Sequence, residues 1–208
     1  MDPMAQVRPY RGIEAADRVA ERRRRFLEAG LDILGSDPDL SELTVRGICR
    51  QAGVAVRYFY ESFSDKDDLV AAVFDWVIAD IAATTQAAVA AAPPAEQSRA
   101  GMANIVHSIA ADTRVGRLLF SAQLSNPVVV RKRTESFALM AMLTFQHAAT
   151  LGAQHNDRIK AASHFVVGGV TQMITAWLTG DITLDNDDLV DQLAAMIDAL
   201  AGPDLYHG

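Results

Sequence analysis

Apolar residues recur along this chain at the spacing of helices. Phe26, Leu27, Gly30, Leu31, Ile33 and Leu34 fall on one face and predict a helix over about residues 17–34. The segment "GSDPDLSEL", residues 35–43, breaks the pattern with turn-forming Gly, Pro and Asp. Thr44 offers an N-cap hydroxyl to a short helix over 45–52, and Gly53, which tolerates a positive φ, ends it. A second short helix spans about 55–62. In "SDKD", residues 64–67, Ser64 reads as a cap, with Asp67 standing in for the Glu of a capping box, and a long helix follows to about residue 91. Pro93 and Pro94 stop it. Further helices read as 95–111, 113–124, 127–151, 157–179 and 186–201, with Pro127 suited to a first turn. No alternating strand pattern of useful length appears, so the fold class is all-α, with about nine helices and no internal repeat.

Two short helices joined by a tight glycine turn suggest a helix-turn-helix. Cys49 lies four residues before Gly53, where the helices must approach closely, and is expected to pack as a small residue. Ile48, Val54 and Phe59 supply apolar contacts around it. In "AVRYFYESF", residues 55–63, Phe59 and Phe63 share a helix face and belong to the core. Arg57, Tyr58 and Glu61 point away from that face, and Val56 and Tyr60 lie on its flank. Tyr58 and Tyr60 either meet a partner or cover the first helix. If the second short helix enters a DNA major groove, Val56, Arg57 and Tyr58 meet base edges, and Arg57 can pair bidentately with guanine. Thr44, Tyr60 and Lys66 would then contact phosphate, and Arg46 belongs to the same DNA-binding set.

The stretch from Phe26 to Phe74 resembles the DNA-binding head of the tetracycline-repressor (TetR) family. Thr44, Ile48, Ala52, Gly53, Val54, Tyr60, Phe63 and Lys66 match the family pattern in order, over about 50 residues. Three positions depart from it. Cys49 replaces the usual Ala, Arg57–Tyr58 replaces the frequent Gly-Thr, and Ser62 replaces a frequent His. The resemblance implies a three-helix head over 1–66 and a helical effector-binding and dimerisation body over 67–208. It implies a homodimer that binds double-stranded DNA at a palindromic operator, usually as a repressor. A small hydrophobic effector in the body would favour a different tilt of the long helix and spoil the spacing of the heads.

Apolar stripes on the last two helices resemble the family's dimer element: Val166, Gly169, Val170, Met173 and Trp177, then Leu189, Leu193 and Met196. Intrachain core is the other reading of both stripes. Gly168 and Gly169 would let another helix approach closely. The cavity that the family carries in this region implies Trp76, Met102, Phe120, Phe137, Met140, Phe145 and Phe165 as effector-lining residues, with His107, Gln123, Gln146, His147 and His164 as polar groups that could orient a ligand. A DNA-binding regulator or architectural protein without an effector shares the head but has a solid body.

Charge adjusts this picture. The chain of 208 residues has a formal charge of −7. Residues 1–66 carry 11 basic and 11 acidic residues, whereas 67–208 carry 8 and 15, so all of the excess acidity is in the body. A neutral head with clustered arginines is compatible with binding DNA by itself. The run "RRRR", residues 22–25, spans every direction of a helix, so local pairs with Glu21 and Glu28 are expected for most of it. "RKR", residues 131–133, reads as a solvated face. The first dozen or so residues read as a loose arm in which Arg8 and Arg11 either reach a minor groove or do nothing.

Half the residues are hydrophobic, enough for a substantial core, yet no apolar run of about 20 residues appears, so no membrane span is expected. The N-terminus has no apolar segment of a secretory signal, and one cysteine cannot form an internal disulfide. A bacterial cytoplasm, with association to the nucleoid when bound to DNA, is the expected location. The sequence holds no HExxH, GxSxG, P-loop or CxxC pattern, and His147 and His155 are eight residues apart across an expected helix end. Neither an enzyme, a cofactor nor a metal site is expected.

Overall fold

The caps decide where most helices begin. Thr44, in an extended conformation, accepts from the Gly47 N–H at 3.0 Å and opens the helix Val45–Ala52. Asp65 opens the long helix Lys66–Ala91, its carboxylate accepting from the N–H groups of Asp67 and Asp68 at 2.9 and 2.8 Å. Ser64 was expected in that role. Instead its N–H and hydroxyl donate to Asp68 at 2.9 and 3.3 Å, so the box sits one residue further along the chain. The charged aspartate at the cap accepts from two amides, which a neutral serine hydroxyl cannot do as strongly.

In the computed structural model, the described residues are 10–36, 40–150 and 157–200, without the side chains of 10–15 and 145–150. Among them are the helices α1 (Tyr10–Ser36), α2 (Val45–Ala52), α3 (Val56–Tyr60), α4 (Lys66–Ala91), α5 (Gln97–Ala111), α6 (Thr113–Phe120), α7 (Pro127–Thr150), α8 (Asp157–Thr179) and α9 (Asn186–Leu200), and no strand. Short 3-10 turns occupy Leu40–Glu42 and Pro94–Glu96.

Two helices differ most in length from the sequence pattern, and α3, expected over about 55–62, is shortened to five residues. α1 is already helical at Tyr10, so residues 10–12 are not part of a loose arm. Gly12 costs about 1 kcal/mol relative to Ala within a helix, and the helix formers after it carry the turn through. Arg8 and the Arg11 side chain lie outside the described residues. α6 stops at Phe120 rather than near 124, and its last carbonyls turn to a side chain from α7. Arg133 donates to Arg117 O, Leu118 O, Ser121 O and Leu124 O, the closest contact being 2.6 Å from Nη2 to Leu118 O. An arginine at a helix C-terminus satisfies carbonyls that the helix cannot, and its charge suits the dipole there.

Two apolar cores result. The first joins α1, α2, α3, α4, α6 and the start of α7 through Phe26, Ile48, Phe59, Leu69, Phe74, Leu118 and Val129. It crosses the expected boundary at 66–67. The second joins α5, α8 and α9 through Val106, Ile109, Ile174, Leu189, Val190 and Leu193. Val115 and Phe120 pack against both.

Candidate nucleic-acid interface

The turn between α2 and α3 is built as the sequence requires. Gly53 has φ 63°, in the left-handed region, and its N–H donates to Arg50 O at 3.3 Å, while that of Val54 donates to Cys49 O at 3.1 Å. Cys49 is buried beside the turn, and burial pushes its thiol pKa up, away from a reactive thiolate. Beneath α3, Phe59 lies edge-on to Phe26 at 5.6 Å between ring centres, and Phe63 lies 6.1 Å from Phe26. Phe26 and Phe59 are fully buried. Both phenylalanines of the aromatic run are therefore core, and the helix they anchor presents its other side outward.

Val56, Arg57 and Tyr60 are exposed on that side, Tyr60 by 60%. Tyr58 is not simply outward. Its ring is half-buried against the first core, and two guanidiniums lie over it: Arg22 of α1 at 4.4 Å and Arg57 at 4.5 Å from the ring centre. Its position two residues after Val56 turns it toward α1, which helical spacing alone leaves open. Thr44, Arg46 and Lys66 are also exposed. The Thr44 hydroxyl accepts from Gly47 and keeps its own O–H to donate. Lys66 pairs with Asp67 at 2.9 Å, and Arg50 pairs with Glu42. Arg46 and Arg57 have no carboxylate partner among the described residues.

The arginine run divides. Arg24 and Arg25 pair with Glu21 at 3.1 and 3.4 Å, as expected of a solvated face. Arg22 and Arg23 instead turn to the helix-turn-helix, Arg23 lying 4.8 Å from the Phe63 ring centre. Spacing places those two near the second short helix only once its orientation is known. "RKR" divides too. Arg131 is exposed beside Glu135 at 3.6 Å, but Lys132 binds Asp75 at 2.7 Å and Arg133 caps α6, so only the first is a solvated charge. Burial without a carboxylate lowers the pKa of Arg133.

In the body, the expected stripes separate. Leu189 and Leu193 are buried in the chain's own second core, so neither is on an exposed dimer face. Val170, Met173 and Trp177 pack partly against that core, and the Trp177 indole N–H donates to Leu184 O at 3.0 Å. Val166 is half-buried, whereas Gly169 and Met196 are open. A Cβ on Gly168 or Gly169 would meet nothing within 4 Å.

The expected effector-lining residues do not converge. Trp76 packs against the first core and Met102 against the second, with Phe120 touching both. Met140 is half-buried. Phe165 is 68% exposed and lines no interior space, because its side of α8 faces outward. The side chains of Phe145, Gln146 and His147 lie outside the described residues. Gln123 is exposed, and His107 is exposed 3.5 Å from Asp187. Phe137 and His164 meet in a groove of about 450 Å³ between α7 and α8, with Thr134, Val167, Gly168 and Gln172 also on its wall. No group of His, Cys, Asp or Glu among the described residues could hold a metal ion, and no described helix is long and apolar enough to cross a membrane.

Comparison with known proteins bears on this geometry. Residues 36–73, which contain α2, α3 and the start of α4, match the family model of bacterial regulatory proteins, tetR family. No curated protein matches the chain. Among solved structures, a TetR-family transcriptional regulator from Streptomyces coelicolor superposes with a TM-score of 0.67 at 22% identity, covering 98% of each chain. A TetR-like transcriptional regulator from Rhodococcus sp. RHA1 gives 0.62 at 18%, over 87% of this chain and 96% of that one. The transcriptional regulator FadR from Bacillus subtilis, solved in complex with stearoyl-CoA, gives 0.64 at 16%, over 84% and 96%. A head that matches the tetR family model over residues 36–73 thus sits on a body that shares the fold of these transcriptional regulators.

Proposed function

We propose that this protein is a dimeric, DNA-binding transcriptional regulator. It acts as a repressor that reads a palindromic operator with α3 and leaves it when a small apolar effector occupies the body. The observation that carries the reading is the two-sidedness of α3. Phe59 locks one side into the core, while Val56, Arg57 and Tyr60 stand exposed on the other. Val56, Arg57 and Tyr58 meet base edges. Thr44, Arg46, Tyr60 and Lys66 hold phosphates, with Lys66 at the N-terminus of α4, where the dipole favours an anion. The domains divide at 66–67, with α4 running from the head into the body.

Two copies meet along the outward side of α8 and α9, where Phe165, Gly169 and Met196 are open and two glycines admit a close approach. Two heads then address half-sites about one helical turn apart, or a multiple of it. The effector enters beside α7 and α8, where Phe137 supports an apolar ligand and His164 and Gln172 a polar end. Long-chain acyl-CoA is the first class to try, since the Bacillus subtilis FadR was solved with one. The reading is non-enzymatic, and the place of action is the cytoplasm, at the nucleoid.

A second reading, a regulator without an effector, draws support from Trp76 and Met102 being packed into separate cores rather than around one space. Selection of bound duplexes from a random pool, with wild type beside Arg57→Ala and Tyr60→Ala, tests the shared part. An inverted repeat should be enriched. Arg57→Ala should cost about 1–3 kcal/mol and relax particular base positions, and Tyr60→Ala should weaken all sites alike. No enrichment even at low salt refutes the reader. Release of the selected DNA by acyl-CoA or another apolar ligand separates the first reading from the second.

A further inference from the structure

The shortest helix of the head starts without the side-chain cap that α2 and α4 have. α3 has five residues, and its N-cap, Ala55, makes no side-chain bond. Arg22, on α1, holds it from outside at two points. The guanidinium carbon lies 4.4 Å from the centre of the Tyr58 ring, and a guanidinium nitrogen lies 3.9 Å from the carboxylate of Glu61, the residue that closes α3. Cation–π contact sets a cation over a ring face, and arginine, planar and more weakly hydrated, stacks there more readily than lysine.

Tyr58 in turn holds Arg57. The Arg57 guanidinium lies 4.5 Å from the same ring centre and donates from Nη2 to the Tyr58 hydroxyl at 2.6 Å. A long exposed arginine samples many rotamers, and ordering it on binding costs affinity. Here the ring and the hydroxyl restrict it beforehand.

We propose that Arg22 is a specificity-positioning residue of the DNA reader. It fixes the Tyr58 ring, and the ring fixes the base-reading guanidinium of Arg57. This role rests on the proposed function and extends it to a residue on the supporting helix. Arg22 itself touches neither base nor phosphate, so the base preference depends on Arg22 while the count of phosphate contacts does not.

The test uses the full chain as wild type, Arg22→Gln, Arg22→Lys, Tyr58→Phe and Arg57→Gln. Duplexes are selected from a random pool, and affinity for the wild-type winner is followed against salt. Thermal unfolding checks that each variant folds. Arg22→Gln should flatten the preference at the same base positions as Arg57→Gln, lowering discrimination there roughly tenfold, the scale of one bidentate base contact. The slope of log affinity against log salt should be that of wild type, and Arg22→Lys should fall between. Tyr58→Phe, which keeps the ring but loses the hydroxyl, should relax those positions less than Arg22→Gln.

A slope shallower by about one unit with the base preference intact would make Arg22 a phosphate contact and overturn the proposal. An Arg22→Gln chain that selects the wild-type bases as sharply as wild type also overturns it and leaves the reader standing. A wild type that selects nothing refutes the reader, and this role with it.

Discussion

The head is fastened to the rest of the chain at two joints, one apolar throughout and one apolar with an ionic rim. Against α4, α1 presents Phe26 and Gly30, and the other side answers with Leu69, Val70, Val73 and Phe74, all buried. A Cβ on Gly30 would stand 2.7 Å from Val73 Cγ2, so the two helices touch nearly backbone to side chain. Against α6, whose Leu118 and Leu119 are buried in the same core, α1 presents polar groups as well. Arg114 reaches Asp32 and, at 3.9 Å, Glu28, and Arg117 donates to the carbonyl of Ser36. Asp32 also accepts from Gln51 of α2 at 3.1 Å, so this joint reaches the helix-turn-helix itself. Apolar contacts are not screened by salt, whereas a partly exposed ionic rim weakens as salt is raised. The difference makes the ionic rim against α6 the part of this fastening that salt and pH can weaken.

The largest effect should come from the apolar joint. Leu69→Ala removes a fully buried side chain between α1 and α4 and should destabilise the chain by about 2–5 kcal/mol, with little dependence on salt. Urea unfolding at low and high salt measures both. A loss below about 1 kcal/mol would mean that the site collapses to fill the space.

How far these joints were legible in the sequence differs in the same way. Helix spacing placed Phe59 and Phe63 in the core and Cys49 beside the turn, because burial of an apolar face follows from local periodicity. The helical limits of α2 were readable from Thr44 and Gly53 for a similar local reason. The ionic rim was not readable. Arg114 and Asp32 are 82 residues apart, and nothing in either neighbourhood names the other. Arg133 read as part of a solvated face, because its partners are carbonyls that become available only when α6 ends. Leu189 and Leu193 carry an apolar stripe that fits an intrachain core and a dimer face equally, and only the position of α5 decides.

The intermediate effect should come from separating the joint against α6 by steric means. A Cβ on Gly35 would lie 2.4 Å from Arg114 Cβ and 2.6 Å from its Cα. The obstruction is backbone, which cannot swing away, so Gly35→Ala must push α1 and α6 apart. The cost should be about 1–3 kcal/mol, the range of overpacked sites, partly offset by the better helix propensity of Ala. Hydrogen exchange should then rise at the end of α1 and in α6 but not in the first turns of α4. Protection lost equally along both joints would mean that they open together and that the division between them is wrong.

The smallest effect, and the one most dependent on conditions, should come from the charges themselves. Asp112 caps α6, accepting from the Arg114 N–H at 3.0 Å and from its guanidinium at 2.6 Å. The side-chain bond to Arg114 is the main cause holding the Asp112 carboxyl below its usual pKa of 3.8, against a smaller opposing push from burial. A carboxyl depressed in the folded state stabilises it in full above the ordinary carboxylate range, and that share is lost as pH falls through the folded value. Asp112→Asn keeps an oxygen to cap the helix but no charge to titrate. Both side chains are about one-third exposed, so the charge should contribute under about 1 kcal/mol at neutral pH. Wild type should therefore exceed Asp112→Asn in stability at pH 7, and the gap should close as pH falls below about 4 or as salt is raised. Leu69→Ala measured alongside should keep its deficit under added salt. If the Asp112→Asn gap is as wide in high salt as in low, Asp112 acts through the geometry of its cap rather than through its charge.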